Sequence, residues 1–151
     1  MRLNQIENQI KDKIEMTKNL DFKLLSWQNN ELRLSCPLSK NLNHHGSAFG
    51  GSLAMAAIVS GYSMTFMALE DGLGKDWGKD YVLVIKDYSC QYLRPVKNDI
   101  EARSIAKSSL IQFLSILKRK GKARLEVETF VEKDGEVQLK AQATYVAYKT
   151  S

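Results

Sequence analysis

Residues 43–52, which read NHHGSAFGGS, carry the residue types best suited to chemistry. They lead into the uncharged, mostly apolar stretch 53–69. The free backbone N–H groups at the start of a helix can bind an anion or a polarised carbonyl oxygen. Gly50 and Gly51 allow a ligand to approach the backbone closely, and Ser52 is a favoured N-cap residue. The segment therefore predicts a binding site at a helix start, although two glycines and a serine also serve simply to begin a helix.

A second group of candidate residues is basic and lies at 118–124, which reads KRKGKAR. Cations at this density suit the binding of phosphate groups, and a solvated basic turn has the same composition. The net charge of +5 does not indicate nucleic-acid binding, because aromatic residues are not interleaved with the cluster and no binding motif is present.

Length and composition predict one domain spanning residues 1–151, with 44% hydrophobic and 26% charged residues, which is enough to bury a core. Cys36 and Cys90 show neither a C-x-x-C spacing nor a histidine cluster, so we expect no metal site, no disulfide and no cofactor. They read as small buried residues in a reducing cytoplasm. The N-terminus lacks the apolar run of a signal peptide.

The apolar stretch 53–69 approaches the length of a membrane span. Ser60, Gly61, Ser63 and Thr65 fall within it, and strand-forming segments follow it. These features favour a helix that the rest of a soluble domain surrounds, and we expect no membrane span.

Hydrophobic periodicity predicts the elements that position these residues. Turn signals separate the predicted strands at 29–30 and at 133–136. The predicted order is an amphipathic helix (1–18), two strands (21–27 and 31–36), a long buried helix (52–70), two strands (81–93 and 100–106), a short helix (110–117) and two strands (125–131 and 137–147).

An antiparallel sheet curled around one apolar helix is an α+β architecture, the hotdog fold. Three motifs occur in an order and spacing that resemble hotdog-fold acyl-CoA thioesterases: FGGS at 49–52, YLRP at 92–95 and RKGKAR at 119–124. Within that superfamily the chain is similar to the thioesterase group typified by the YiiD C-terminal domain. The resemblance extends from residue 19 to residue 148.

This resemblance implies hydrolysis of acyl thioesters of coenzyme A or of acyl carrier protein. The thioester carbonyl would lie at the N-terminus of the central helix, where the backbone N–H groups of Gly50, Gly51 or Ser52 would polarise it. Asn43 matches a loop asparagine that in some relatives helps to hold water or the thioester. An Asx-turn within its own loop is the alternative role for this residue.

The chain also departs from the pattern of its relatives. Phe49 stands where many of them have histidine, and Ile58 stands where one large group has aspartate. Asp87, on the strand after the helix, is then a candidate acid or base, because hotdog sites combine residues from two subunits. Its alternative is a surface ion pair with Lys86 or Arg94. His45 belongs to the only histidine pair, which is either a base or an exposed bystander.

The predicted substrate-binding residues extend the site toward the phosphates of coenzyme A or of a carrier protein's pantetheine arm. They are His45, Phe49, Ser52, Arg94, Lys97, Arg119, Lys120, Lys122 and Arg124. The resemblance further implies a homodimer or a dimer of dimers. A non-catalytic acyl-thioester binding module remains the second hypothesis, on account of Phe49 and Ile58, whereas a hotdog dehydratase is disfavoured because no histidine and acid are suitably placed.

Overall fold

The protein folds into a single curled antiparallel sheet wrapped around one long helix. The computed structural model describes residues 2–150. The strand order in the sheet is β1-β2-β4-β5-β6-β3. The elements are α1 (Arg2–Lys13), α2 (Met16–Leu20), β1 (Lys23–Gln28), β2 (Glu31–Cys36), α3 (Gly50–Leu73), β3 (Tyr81–Tyr92), β4 (Ile100–Ala106), α4 (Leu110–Lys120), β5 (Lys122–Lys133) and β6 (Glu136–Lys149), with short 3-10 turns at Leu38–Lys40 and Trp77–Lys79.

Strand periodicity and turn chemistry account for the sheet. Alternate residues of β5 are buried against the helix, as expected for a strand with one covered face. Both predicted hairpin turns form. Asn29 and Asn30 have φ of 53° and 59°, and Asp134 and Gly135 have φ of 50° and 80°, the left-handed values that tight hairpins require.

The central helix α3 supplies most of the core opposite the sheet. Tyr145 on β6 is fully buried, and its hydroxyl donates to the carbonyl oxygen of Ile58 at 2.6 Å. Gly61 is needed beside it, since a Cβ atom there would lie 2.6 Å from the Tyr145 hydroxyl. By length and composition α3 could cross a membrane, but 67% of its apolar window is buried inside the fold.

Two predicted helix boundaries are wrong. The central helix runs from Gly50 to Leu73 rather than over 52–70. The N-terminal segment predicted as one helix over 1–18 breaks after Lys13 and resumes at Met16. Residue 1 lies outside the described residues. The break follows from packing, because α2 turns Thr17 and Leu20 inward while Ile14 remains 40% exposed.

Strand β3 forms one edge of the sheet. Among the described residues it pairs only with β6, so the other side of this twelve-residue strand carries unpaired backbone groups. A register shift between Ile85 and Asp87 makes Lys86 a bulge. On the far side of the bulge Tyr88 and Asp87 point to opposite faces of the sheet.

Candidate functional site

The start of α3 presents three backbone N–H groups without an acceptor. Phe49 occupies the N-cap position, and its own N–H donates to the Asn41 carbonyl at 2.8 Å. The first helical bond runs from Leu53 N–H to the Phe49 carbonyl at 3.0 Å. Within residues 2–150 the N–H groups of 50–52 therefore find no partner. The predicted N-cap role of Ser52 is wrong, because Ser52 is the third residue of the helix and the cap residue offers no side-chain bond.

The two glycines at this point meet different neighbours. A Cβ atom on Gly51 would lie 2.5 Å from the ring of Phe49, which folds back over the first turn while remaining 57% exposed. Gly50 lies against Tyr92 at the end of β3, whose hydroxyl donates to the Gly50 carbonyl at 2.8 Å. The ring of Phe49 therefore adds a steric requirement for glycine that the sequence alone did not reveal.

The side chain of Asn43 organises the loop before the helix. Its Oδ1 accepts from the N–H groups of His45 (2.8 Å) and Ser47 (3.1 Å), and its Nδ2 donates to the Ser47 hydroxyl at 2.8 Å. This is the Asx-type arrangement considered as an alternative for this residue. His44 and His45 are exposed, with ring centroids 3.9 Å apart. A role for Asn43 in holding water or the thioester stays a prediction.

A buried asparagine that sequence reasoning missed anchors the same loop. Asn41 Nδ2 donates to the carbonyl oxygens of Leu20 (3.1 Å) and Pro37 (2.8 Å). Nothing in the local sequence distinguishes it from Asn43. The distinction arises because Asn41 is 4% exposed and joins the end of α2 to the segment that leads into α3.

Two of the predicted substrate-binding cations lie at the same end of the molecule as the start of α3. The loop that carries Arg94 and Lys97 is joined to the segment before the helix by a bond from Ala48 N–H to the Val96 carbonyl at 2.7 Å. Arg94 forms an exposed ion pair with Glu136 at 3.4 Å. Lys97 is exposed.

Asp87 is not brought to the start of α3 within one chain. Its strand position is opposite Thr144, on the outer face of the sheet, and its Oδ1 accepts from the Tyr88 N–H at 2.9 Å. The alternative ion pair with Lys86 or Arg94 is also not formed among the described residues. Asp87 instead borders a small outer-face cavity of about 270 Å³.

The inner face of β3 carries a polar row that the sequence analysis missed. Tyr88, Cys90 and Tyr92 alternate along the strand and share the face that meets α3. The Tyr88 hydroxyl is buried with no hydrogen-bond partner in the described part of the chain. Burial, and then the neighbouring Cys90 thiol, raises the pKa of Tyr88, so this phenol stays protonated. The alternation of side chains along β3 could have revealed this row, but the bulge at Lys86 interrupts that alternation.

The basic segment 118–124 divides into two parts. Lys120, Lys122 and Arg124 line a groove of about 660 Å³ between α4, β3 and β6, and Lys86 joins them. The remaining lining residues of this groove, which contains no acidic side chain, are Val84, Ile85, Ile116, Ala123, Val146 and Tyr148. We call it the basic groove. Lys118 and Arg119 face a separate groove on the other side of α4.

A cavity of about 520 Å³ lies between α1, the second half of α3 and the start of β3, and its lining includes the charged Lys13, Lys75, Asp76 and Lys79 as well as apolar residues. Its aromatic lining comprises Tyr62, Phe66, Trp77 and Tyr81. Phe66 and Trp77 meet edge to face, with centroids 5.0 Å apart and planes at 79°. Burial raises the pKa of Tyr62, so this phenol stays protonated near neutral pH. We call it the aromatic cavity.

No cluster of three or more metal-ligating side chains occurs among residues 2–150. The Cys36 thiol is buried, and burial raises its pKa to about 12, which leaves it protonated and unreactive.

A family profile described as "Putative thioesterase (yiiD_Cterm)" matches residues 3–149, nearly the whole chain. The chain belongs to the YiiD_C family. This confirms the resemblance drawn from the three sequence motifs. No curated protein matches the chain.

Solved structures share the fold of this YiiD_C protein. A protein of unknown function from Chlorobaculum tepidum TLS is 23% identical, with a TM-score of 0.86 over 97% of this chain and 94% of the other. A "putative thioesterase" from Shewanella oneidensis is 24% identical, with a TM-score of 0.83 over 97% and 96%. Thioesterase HI1161 from Haemophilus influenzae is 14% identical, with a TM-score of 0.71 over 97% and 90%. At these identities the likeness confirms the predicted hotdog fold.

Proposed function

We propose that this YiiD_C protein hydrolyses acyl thioesters of coenzyme A or of acyl carrier protein at the start of α3. The observation that carries the proposal is the set of unpaired N–H groups at Gly50, Gly51 and Ser52, in a family described by thioesterase activity. Attack of water on the carbonyl carbon places negative charge on the thioester oxygen. Each oriented donor at that oxygen typically lowers the barrier by about 3 kcal/mol.

A dimer formed through β3 completes this proposal. The unpaired edge of β3 is twelve residues long and includes the exposed Val84 and Ile85, 41% and 40% exposed. Such an edge is a ready template for pairing with a second strand. A two-fold axis would pair β3 with its copy in antiparallel fashion, so the start of one strand would lie beside the end of the other.

This pairing makes the site composite. Tyr92, at the end of β3, contacts Gly50, whereas the basic groove and the aromatic cavity flank the first half of β3. Within one chain, Ile85 and Tyr92 are separated by about 23 Å of extended strand. An antiparallel two-fold pairing keeps the α3 side of both sheets on one face, so the helix start of one subunit would approach the aromatic cavity of the other, and the cavity would take the acyl chain. The basic groove, lined by Val84, Val146 and Arg124, lies on the outer face and stays outside this composite site.

We assign proton transfer to His45 rather than to Asp87. His45 belongs to the loop that leads into the helix start, whereas Asp87 faces away from α3 in its own chain. A neutral imidazole accepts a proton from water near physiological pH. Replacement of His45 by glutamine should lower kcat by about a hundredfold to ten-thousandfold, the usual range for a general base. Asp87→Asn should leave kcat within twofold of the parent value, and the reverse pattern would move the base to Asp87.

The test of the function is release of free thiol from a panel of acyl-CoA substrates, from acetyl to palmitoyl, and from the matching acyl carrier proteins. The parent protein should turn over at least part of the panel. Saturable binding without thiol release from any substrate would favour the binding module instead. The cytoplasmic location expected from the sequence stays a prediction.

A further inference from the structure

The face of α4 that points away from the sheet combines an exposed apolar residue with cations. Ile111 is 81% exposed, the highest value for a large hydrophobic residue within residues 2–150. With Leu114, Ser115, Lys118 and Arg119 it lines an open groove of about 520 Å³. These five residues recur at helical spacing and form one surface, which we call the α4 face.

The α4 face is separate from the apolar side that holds the helix in the fold. Phe113 and Leu117 are 3% and 0% exposed and belong to the main core. Ile111 therefore contributes nothing to the packing of the helix. Ile111 and the half-buried Leu114 line the groove together, so the exposed apolar surface is more than a single scattered residue.

The charge of the α4 face is entirely positive. The helix contains no acidic residue, and its last turn carries Lys118, Arg119 and Lys120. None of the ion pairs between described residues engages Lys118 or Arg119. A face with an exposed apolar residue in its first turn and unneutralised cations in its last turn is complementary to an acidic protein surface that also offers an apolar contact.

We propose that the α4 face docks the acidic carrier protein that delivers the thioester. The inference rests on the proposed function, because it names which of the two thioester carriers the protein recognises. Coenzyme A and a carrier's pantetheine arm share a phosphate, so a phosphate contact does not distinguish the two. The α4 face offers an apolar contact that a phosphate does not need.

A membrane surface fits the α4 face less well. Helices that bind at a bilayer interface insert a broad apolar side into the acyl region. In α4 that side, with Phe113 and Leu117, is already buried in the protein. Of the apolar residues that remain, Ile111 and Leu114 line one groove and Ile116 another, so no broad apolar side is left.

Binding to an acyl carrier protein whose acyl group is attached through a non-hydrolysable amide tests the proposal without requiring turnover. Ile111→Asp places a negative charge on the α4 face and should weaken carrier binding at least about tenfold, as for a central interface residue. Ile111→Lys should weaken it much less, because the added charge favours an acidic partner. Met16→Asp is the matched control, since Met16 is also exposed, at 66%, but lies on α2.

The same variants are assayed against acyl-CoA with the same acyl group. We expect kcat/KM for acyl-CoA to stay within twofold of the parent for Ile111→Asp. The proposal is overturned if the parent fails to bind the carrier, or if both Ile111→Asp and Ile111→Lys bind the carrier as tightly as the parent does. It is also overturned if the parent binds phosphatidylglycerol vesicles instead of the carrier. Absence of thiol release from every substrate would refute the proposed hydrolysis while the carrier titration still decides the docking site.

Discussion

At the residue scale, the proposed chemistry combines backbone N–H groups, which polarise the thioester, with one side chain, His45, which transfers the proton. The two glycines before the apolar stretch predicted unpaired N–H groups at a helix start, and the structure places them there. The cap residue was predicted wrongly, because Phe49 holds that position through its backbone while its ring covers Gly51. A ring folding back over the next turn depends on rotamer choice and on neighbouring elements, which local sequence does not reveal.

Asn43 provides a test of what the preceding loop contributes. In Asn43→Ala two N–H groups, those of His45 and Ser47, lose their acceptor, which should cost about 0.5–1.5 kcal/mol of stability, because water can replace the acceptor in this loop, and should lower turnover. Asn43→Asp keeps that acceptor and should retain most of the turnover. Urea unfolding and thiol-release kinetics measure both effects. Equal loss in the two variants would show that the Nδ2 group itself acts on water or substrate.

At the element scale, the strands and hairpins were predicted well and the helices less well. The boundaries of β2 and β4 agree with the predicted ones, because alternating burial on a half-covered sheet produces a strict period of two. The helix boundaries depended on contacts between distant parts of the chain. Arg2, for example, bonds to Glu70 at 2.8 Å and to Asp71 at 2.6 Å in the last turns of α3, beyond its predicted end.

A chain of buried hydroxyls joins α3 to the sheet. Ser104 on β4 lies 2.7 Å from the Ser60 hydroxyl and 2.6 Å from that of Thr129. Ser104→Ala would leave both neighbours without this partner in the core and should lower the free energy of unfolding by about 1–3 kcal/mol. Ser26→Ala, on strand β1, is the control and should change it little. If Ser104→Ala lowered the free energy of unfolding no more than Ser26→Ala does, the network would contribute no stability.

The ion pair between Arg103 and Glu132 links β4 to β5 at 2.9 Å. The hydrogen bond from Arg103 lowers the pKa of Glu132 below its ordinary value of 4.5. A carboxylate whose pKa falls on folding stabilises the fold at pH values above its pKa in the unfolded state. This contribution is lost as the pH falls through the pKa in the folded state. Glu132→Gln should therefore destabilise the protein at neutral pH and make no difference in acid. Denaturant titrations from neutral to acidic pH measure the free energy of unfolding of the parent and of Glu132→Gln, with Glu126→Gln as control. A difference between parent and Glu132→Gln that did not shrink in acid would contradict the account.

At the scale of the whole molecule, we propose that assembly occurs through the unpaired β3 edge. Light scattering at micromolar concentration should give at least twice the subunit mass of 17.1 kDa. Val84→Glu combined with Ile85→Glu places like charges on facing strands and should shift the mass toward that of the monomer. Ile111→Ser replaces an equally apolar residue that lies away from this edge, and it should leave the mass unchanged. A monomeric parent protein would exclude pairing through β3.

The composite site is the central claim, and subunit complementation tests it most directly. One variant carries Gly51→Val with Phe49→Ala, so that the added side chain blocks the helix start without striking the ring. The other carries Tyr81→Asp, which puts a charge in the wall of the aromatic cavity. Each homodimer should hydrolyse acyl-CoA poorly. In a purified heterodimer the intact helix start of one subunit meets the intact cavity of the other, so about half of the parent activity should return. A heterodimer as inactive as both homodimers would contradict the account.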